Sequence, residues 1–276
     1  MKSRLMNGIV WGALFFAPVQ GAAEYGRVPH SDFDPATLKI DEQRYLGAPV
    51  SDEFLLLDSA GGEFSLKEWM DKPVILALSY YSCDGVCASL NRELKEALAK
   101  INLLPGRDYR VLTVSFDKND GLESLRMFGK ELAVPENLQS AWRLALLKNP
   151  EDIQRLTDGL GYRFFWSKRD RLFLHPNVLV FLSTGGRVTR YLYTAGIRPK
   201  DLELAILDAT QDKTGKSNIR DLGNLLFLAC YSYNYKDGKY AVNYPMFIGA
   251  GSFFFGIALI AVSTIVMYRK KRGAHS

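Results

Sequence analysis

The chain has 276 residues, a formal charge of +5, 47% hydrophobic residues and three cysteines. Three cysteines are too few for a disulfide-dense scaffold, and the apolar fraction is that of a globular protein. The basic residues gathered at both ends contribute to the charge, and no Arg/Lys stripe interleaved with aromatics accompanies them, so nucleic-acid binding is not expected.

The chain opens with MKSR, an apolar run from Leu5 to Val19 and small residues at Gly21, Ala22 and Ala23. This three-part pattern reads as a secretory signal peptide over 1–23. Residues 24–48 are polar, with Pro29 and Pro35, and read as an extended arm. At the other end, 244–268 carry no charge, and Arg269, Lys270, Lys271 and Arg272 follow at once. About 20 apolar residues cross a bilayer core, so 244–268 reads as a transmembrane helix. The basic tail 269–276 is then cytoplasmic. The two ends together predict a membrane-anchored protein whose globular domain lies on the periplasmic, extracytoplasmic side.

Between the ends the pattern is that of an α/β domain. Residues 52–69 read as two short strands around Gly61-Gly62, then a brief helix from Ser65. Residues 72–80 (KPVILALSY) form a continuous apolar run, as in a strand buried on both faces. A helix is predicted over 86–101, with Leu90, Leu94, Ala97, Leu98 and Ile101 at helical spacing. A second buried strand spans 109–116, a helix 120–134 ended by Pro135, and a third strand 141–147. A helix over 149–161 is expected to take Asn149 as N-cap and Pro150 at its first position. Residues 177–193 read as a hairpin across Thr184-Gly185-Gly186, and 198–211 as the last helix. Strands alternating with helices predict a sandwich around a central sheet. Residues 213–243 connect it to the apolar segment, with a helix expected at 218–229.

The chemistry gathers at LSYYSCDGVCASLNREL (78–94). A buried strand ends near Tyr80, a loop carries Cys83, and Cys87 lies in the first turn of the next helix. Unpaired N–H groups and the positive end of the helix dipole favour thiolate there, and the thiolate is both nucleophile and metal ligand. Residues four apart on a helix hold their Cβ atoms about 5–6 Å apart, whereas a relaxed disulfide needs about 3.5–4.5 Å. A Cys83–Cys87 disulfide therefore requires the first turn to open, which makes it easy to reduce. Two sulfurs fall short of structural zinc's four ligands but suit Cu(I). Of the three histidines, His275 follows the span and His30 lies in the arm, leaving His175, in RDRLFLHPNVLVFL, as the candidate third ligand. Three readings of the pair stay open on these residues: a metal site, a thiol–disulfide exchange site and a structural disulfide. Cys230 reads equally as a packed apolar residue, an intermolecular disulfide partner, an extra ligand or a resolving thiol.

The ordered set of strand, Cys83-x-x-x-Cys87, helix, TVSFD (113–117) and a histidine before a late hairpin resembles the Sco/SenC family. The resemblance covers about 45–212 and implies a thioredoxin-like domain over 49–212. It implies one copper ion, Cu(I) or Cu(II), held by Cys83, Cys87 and His175, with Asp117 in support. It also implies a role in delivering copper to, or preparing the thiols of, the copper-site subunit of a cytochrome oxidase, without enzymatic turnover. A thiol–disulfide oxidoreductase using the redox-active pair Cys83 and Cys87 is the alternative. The chain departs from the family in placing Asp84 and Ala88, where prolines are common, after the two cysteines, and in an expected anchor at the C-terminal end, contacting lipid through 244–268.

Overall fold

A computed structural model describes residues 35–51, 53–82, 86–193, 197–212, 231–234, 239–242, 248–249 and 251–262, with backbone alone at 35–36, 86–88, 231–234 and 239–242. The strands are β1 (Leu55–Leu57), β2 (Glu63–Ser65), β3 (Val74–Ser79), β4 (Arg110–Ser115), β5 (Trp142–Leu147), β6 (Phe165–Ser167), β7 (Leu172–Leu174), β8 (Val178–Leu182), β9 (Val188–Tyr193), β10 (Tyr231–Asn234) and β11 (Lys239–Val242). The helices are α1 (Glu42–Tyr45), α2 (Leu66–Trp69), α3 (Val86–Leu98), α4 (Leu122–Leu132), α5 (Glu136–Gln139), α6 (Asp152–Gly159) and α7 (Pro199–Thr210). Seven strands form one mixed sheet in the order β2-β1-β5-β4-β3-β8-β9. β3, β4 and β5 are parallel, and β8 joins β3 antiparallel.

The sheet is covered on both faces, which is why the central strands are mostly apolar, with Ser79, Thr113 and Ser115 as buried polar exceptions. All six residues of β3 are buried. Leu76 and Leu78 face one cluster with Phe116, Leu156 and Tyr191, and Ile75 and Ala77 face another with Leu90, Leu94, Phe128 and Leu202. The second face is roofed by α3, α4 and α7. The predicted helical stripe of α3 holds: Leu90, Leu94, Ala97 and Leu98 are all buried. Within the expected N-terminal arm, Ile40 and Glu42 are buried, and the Gly47 N–H donates to Val188 O (2.8 Å).

Local signals shape the connections. Ser65 and Glu68 form a reciprocal capping box at the start of α2. Gly61 and Gly186 hold φ of 85° and 70°, left-handed backbone that glycine adopts without a Cβ clash. The 149–161 segment differs from expectation: α6 takes Glu151 as its N-cap, with no side-chain cap bond. Asn149 and Pro150 instead form an i→i+3 turn ahead of it, through Asp152 N–H to Asn149 O (3.0 Å) and Ile153 N–H to Pro150 O (3.2 Å). The β6–β7 hairpin was not anticipated.

The C-terminal expectation needs correction. Among the described residues, no helix is long and apolar enough to cross a membrane. On that finding the transmembrane helix expected at 244–268, its lipid contact and the membrane-anchored extracytoplasmic localisation are not upheld. The signal-peptide part of that topology, residues 1–23, lies outside the described residues. So do the helix expected at 218–229, Cys230, His30 and the basic tail 269–276. In the rest of the connector, Tyr231 and Tyr233 lie on β10, and Tyr233 pairs with Tyr240 of β11.

Candidate functional site

The site is built at the C-terminal end of β3. The chain leaves the strand through Tyr80, Tyr81 and Ser82, and α3 begins at Val86, so Cys87 stands in its first turn as expected. Cys83 and the side chain of Cys87 lie outside the described residues; backbone on either side gives their place.

That backbone is held at both ends. At the loop end, the Tyr81 N–H donates to Asp120 Oδ2 (2.6 Å), which also accepts from Ser115 Oγ (2.5 Å). One carboxylate thus ties the strand exit to the end of β4, with charge-assisted bonds of the stronger kind. The Tyr81 hydroxyl reaches across to β4 and β5: it accepts from the Ala145 N–H (3.1 Å) and has Thr113 O and Ala145 O both at 2.8 Å as acceptors. Burial, opposed by the hydrogen bond at Ala145, pushes this phenol above the usual tyrosine range, so it stays protonated and donates. At the helix end, Asn91 lies one turn beyond Cys87 and is fully buried. Its Nδ2 donates to Ser79 Oγ (2.9 Å), and its Oδ1 accepts from Thr113 Oγ1 (2.8 Å). Trp142 Nε1 donates in turn to Thr113 Oγ1 (3.0 Å). This buried chain fixes α3 against β3, β4 and β5 from within.

His175 comes to the same edge from the other direction. β3 and β8 pair antiparallel as far as Ala77 opposite Leu179, and the segment ahead of β8 brings His175 beside the exit of β3. The imidazole lies 6.0 Å from the Tyr80 ring, edge to face, and 5.2 Å from Phe116. Those rings belong to the cluster on the face opposite α3. His175 therefore lies near the C-terminal end of β3, on the face opposite α3.

The hydrogen bonds define the histidine's chemistry. Nδ1 is 3.1 Å from Pro176 O, and a carbonyl only accepts, so Nδ1 carries the hydrogen. Tyr162 Oη donates to Pro176 O (3.2 Å) and stands 2.9 Å from Nδ1, where it accepts. With Nδ1–H engaged in this way, the lone pair of the neutral ring is on Nε2. A backbone carbonyl behind the ring is the usual support of a ligating histidine. Burial, only partly offset by the Pro176 carbonyl, holds the imidazole below its usual pKa, so it is neutral at pH 7.

Asp117, expected in support, is buried and organises the loop after β4. Its Oδ1 accepts from the Asn119 N–H (2.9 Å) and Asn119 Nδ2 (2.8 Å), while its own N–H donates to Ser115 Oγ (3.0 Å). Among the described residues, the carboxylate bonded to the strand exit at Tyr81 is Asp120, which sequence reasoning passed over. The only signal was a second acidic residue in SFDKND. Among the described residues, no group of three or more His, Cys, Asp or Glu side chains forms a metal site. The donor types expected here, two thiolates and a neutral imidazole, fit a soft cation of low coordination number.

A mixed sheet flanked by helices, with Cys87 in the first turn of its first long helix, defines a thioredoxin-like fold. No family model and no curated protein matches the chain. Two solved structures from Aquifex aeolicus VF5 do. One, of a protein assigned to electron transfer, is 31% identical with a TM-score of 0.56, over 62% of this chain and 97% of that one. The other, assigned to electron transport, is 32% identical with a TM-score of 0.52, over 60% and 98%. The chain belongs to the family of these two proteins. It also shares its fold with BsSco, a member of the Sco family of cytochrome c oxidase assembly proteins in which a disulfide switch has been identified. That match is 16% identical with a TM-score of 0.50, over 62% of this chain and 97% of that one. The resemblance to the Sco/SenC family read from the sequence thus holds at the level of fold.

Proposed function

We propose that this protein carries copper to, or readies the thiols of, a partner's copper site, with Cys83, Cys87 and His175 Nε2 as its ligands. The observation that carries the reading is the position of His175: its ring packs on Tyr80, three residues before Cys83, with Nδ1–H already committed to Pro176 O. A soft cation joining the three donors would be cargo, and the chain's work is to present them. The first turn of α3 favours Cys87 as thiolate. Tyr162 and Pro176 hold the imidazole in the tautomer that leaves Nε2 its lone pair. Asp120 and Asn91 hold the loop and the helix on either side, and Asp117 supports the loop after β4. By likeness to BsSco, the proposed recipient is the copper-site subunit of a cytochrome oxidase.

A second reading, thiol–disulfide exchange by Cys83 and Cys87, is favoured by the electron-transfer assignment of the Aquifex relatives. One experiment separates the two. The full chain is titrated with Cu(I) against a competing chelator, and in parallel its reduced form is mixed with a small neutral disulfide. Copper carriage predicts that Cys83→Ser with Cys87→Ser abolishes binding, and that His175→Ala weakens it at least about tenfold while disulfide exchange persists. Binding unchanged by the double cysteine substitution would sink the copper reading, and pure exchange predicts that His175→Ala leaves whatever metal affinity exists untouched.

A further inference from the structure

The β6–β7 hairpin stands beside this site with a surface that neither reading uses. Trp166 pairs with Phe173 across it. Phe173 is turned inward, its ring 5.1 Å from Tyr80 and 5.6 Å from Phe116. Trp166 lies over Phe173 at 4.9 Å, so the hairpin is fastened to the strand exit that leads to Cys83. Two adjacent rings, on opposite faces of β6, stay open to solvent: Phe165 is 41% accessible and Trp166 52%. Around them stand four exposed cations, Arg163, Lys168, Arg169 and Arg171. The single carboxylate of the segment, Asp170, accepts from Ser167 Oγ (2.7 Å) within the turn. Among the described residues none of the four cations forms an ion pair. Arg171 holds a left-handed backbone, φ 54°, which a glycine would occupy without strain.

We propose that this hairpin docks an acidic segment of a partner protein and brings that partner's cysteine to Cys83 and Cys87. Exposed tryptophan and arginine are the side chains that dominate protein interfaces. A one-signed rim steers an oppositely charged partner and sets the rate of encounter more than the final affinity. The inference rests on the cysteine pair being exchange-competent, and the test keeps the two apart.

The reduced full chain is mixed with two synthetic peptides, one Glu-flanked and one Lys-flanked, each carrying a single cysteine as its pyridyl disulfide. A protein thiolate attacks the peptide sulfur, the peptide–pyridyl S–S bond breaks and thiopyridone leaves. The second protein thiolate then attacks the mixed disulfide and releases the peptide thiol. The protein dithiol loses two electrons to become a disulfide, the peptide disulfide gains them, and the two thiol protons end on the leaving groups. The absorbance of thiopyridone reports the first step. The Glu peptide is expected to react about tenfold faster than the Lys peptide at low ionic strength, and the difference should shrink at about 1 M salt. Glutamate at Arg163, Lys168, Arg169 and Arg171 together should invert the preference. The same reversal at the exposed Lys39, Lys67, Lys100 and Lys130, none of which belongs to the hairpin, should leave most of it, which separates the hairpin from net charge. Trp166→Ala should slow the Glu peptide and not a neutral dipyridyl disulfide.

Equal rates for the two peptides, with the neutral disulfide still reduced, overturn the docking surface and leave the exchange chemistry standing. No reaction with the neutral disulfide overturns both. Loss of binding to phosphatidylserine vesicles in the hairpin variant, without any peptide preference in the parent, overturns the proposal in favour of a lipid surface.

Discussion

Replacing Asn91 by alanine tests whether the helix that carries Cys87 is held from inside the sheet. The side chain is fully buried and makes two bonds to other buried hydroxyls, Ser79 at 2.9 Å and Thr113 at 2.8 Å. Truncation leaves the Thr113 O–H without its acceptor and Ser79 Oγ without its donor. Each stranded buried group costs about 1–3 kcal/mol. Ser79 can rotate its hydroxyl toward another acceptor, so its share lies at the low end, and the sum is about 2–4 kcal/mol. Urea unfolding of the full chain should show the midpoint moved by that amount with an unchanged slope. Thr113→Val breaks the same chain and also strands Trp142 Nε1. The double variant should therefore lose less than the two single losses added, by about 1 kcal/mol or more. The loosened first turn should also change the alkylation rate of Cys87. A loss below about 0.5 kcal/mol, or strict additivity with Thr113→Val, would refute the reasoning.

Asp120→Ala should free the strand exit: it removes the acceptor of the Tyr81 N–H and Ser115 Oγ, costing about 1.5–3 kcal/mol, and Cys83 should be alkylated faster than in Asp117→Ala. Metal-free protein should lose stability as the pH falls through about 6.5, the unfolded histidine value. His175 is held neutral by burial while the unfolded chain binds a proton, so stability rises with pH in that window; urea midpoints at pH 7.5 and 5.5, in chelator, should converge in His175→Phe. Asp208→Ala should cost about 3–5 kcal/mol, because Arg190 Nε, 2.8 Å from Asp208 Oδ2, is left largely buried without that carboxylate; a thermal midpoint near that of the parent would contradict it.

Much of the scaffold was legible because its periods are strong. β3 reads as one apolar run since α3, α4 and α7 cover one of its faces and the Phe116 cluster the other. Leu90, Leu94, Ala97 and Leu98 mark the buried stripe of α3 at helical spacing. The hairpin of β6 and β7 was hidden because Phe165 and Trp166 are both exposed in succession, so β6 shows no apolar–polar alternation. Asp120 was hidden for another reason. A carboxylate that accepts from a backbone N–H 39 residues earlier is visible only once the sheet brings β3 and β4 together. Hydropathy over-read the C-terminal segment: it records that 244–268 is uncharged, while among the described residues no helix is long and apolar enough to cross a membrane. His175 was picked out as a candidate from the order of elements, but its place against Tyr80 and Phe116 depends on long-range packing that the sequence does not display.

The account stands on His175 Nε2 and the two sulfurs sharing one soft cation. X-ray absorption at the copper edge, on the Cu(I)-loaded full chain and on His175→Ala, reads the ligand atoms directly. The account predicts two sulfur neighbours and one nitrogen, with the nitrogen lost in the variant. A sulfur-only shell, or a nitrogen shell that survives His175→Ala, would contradict it.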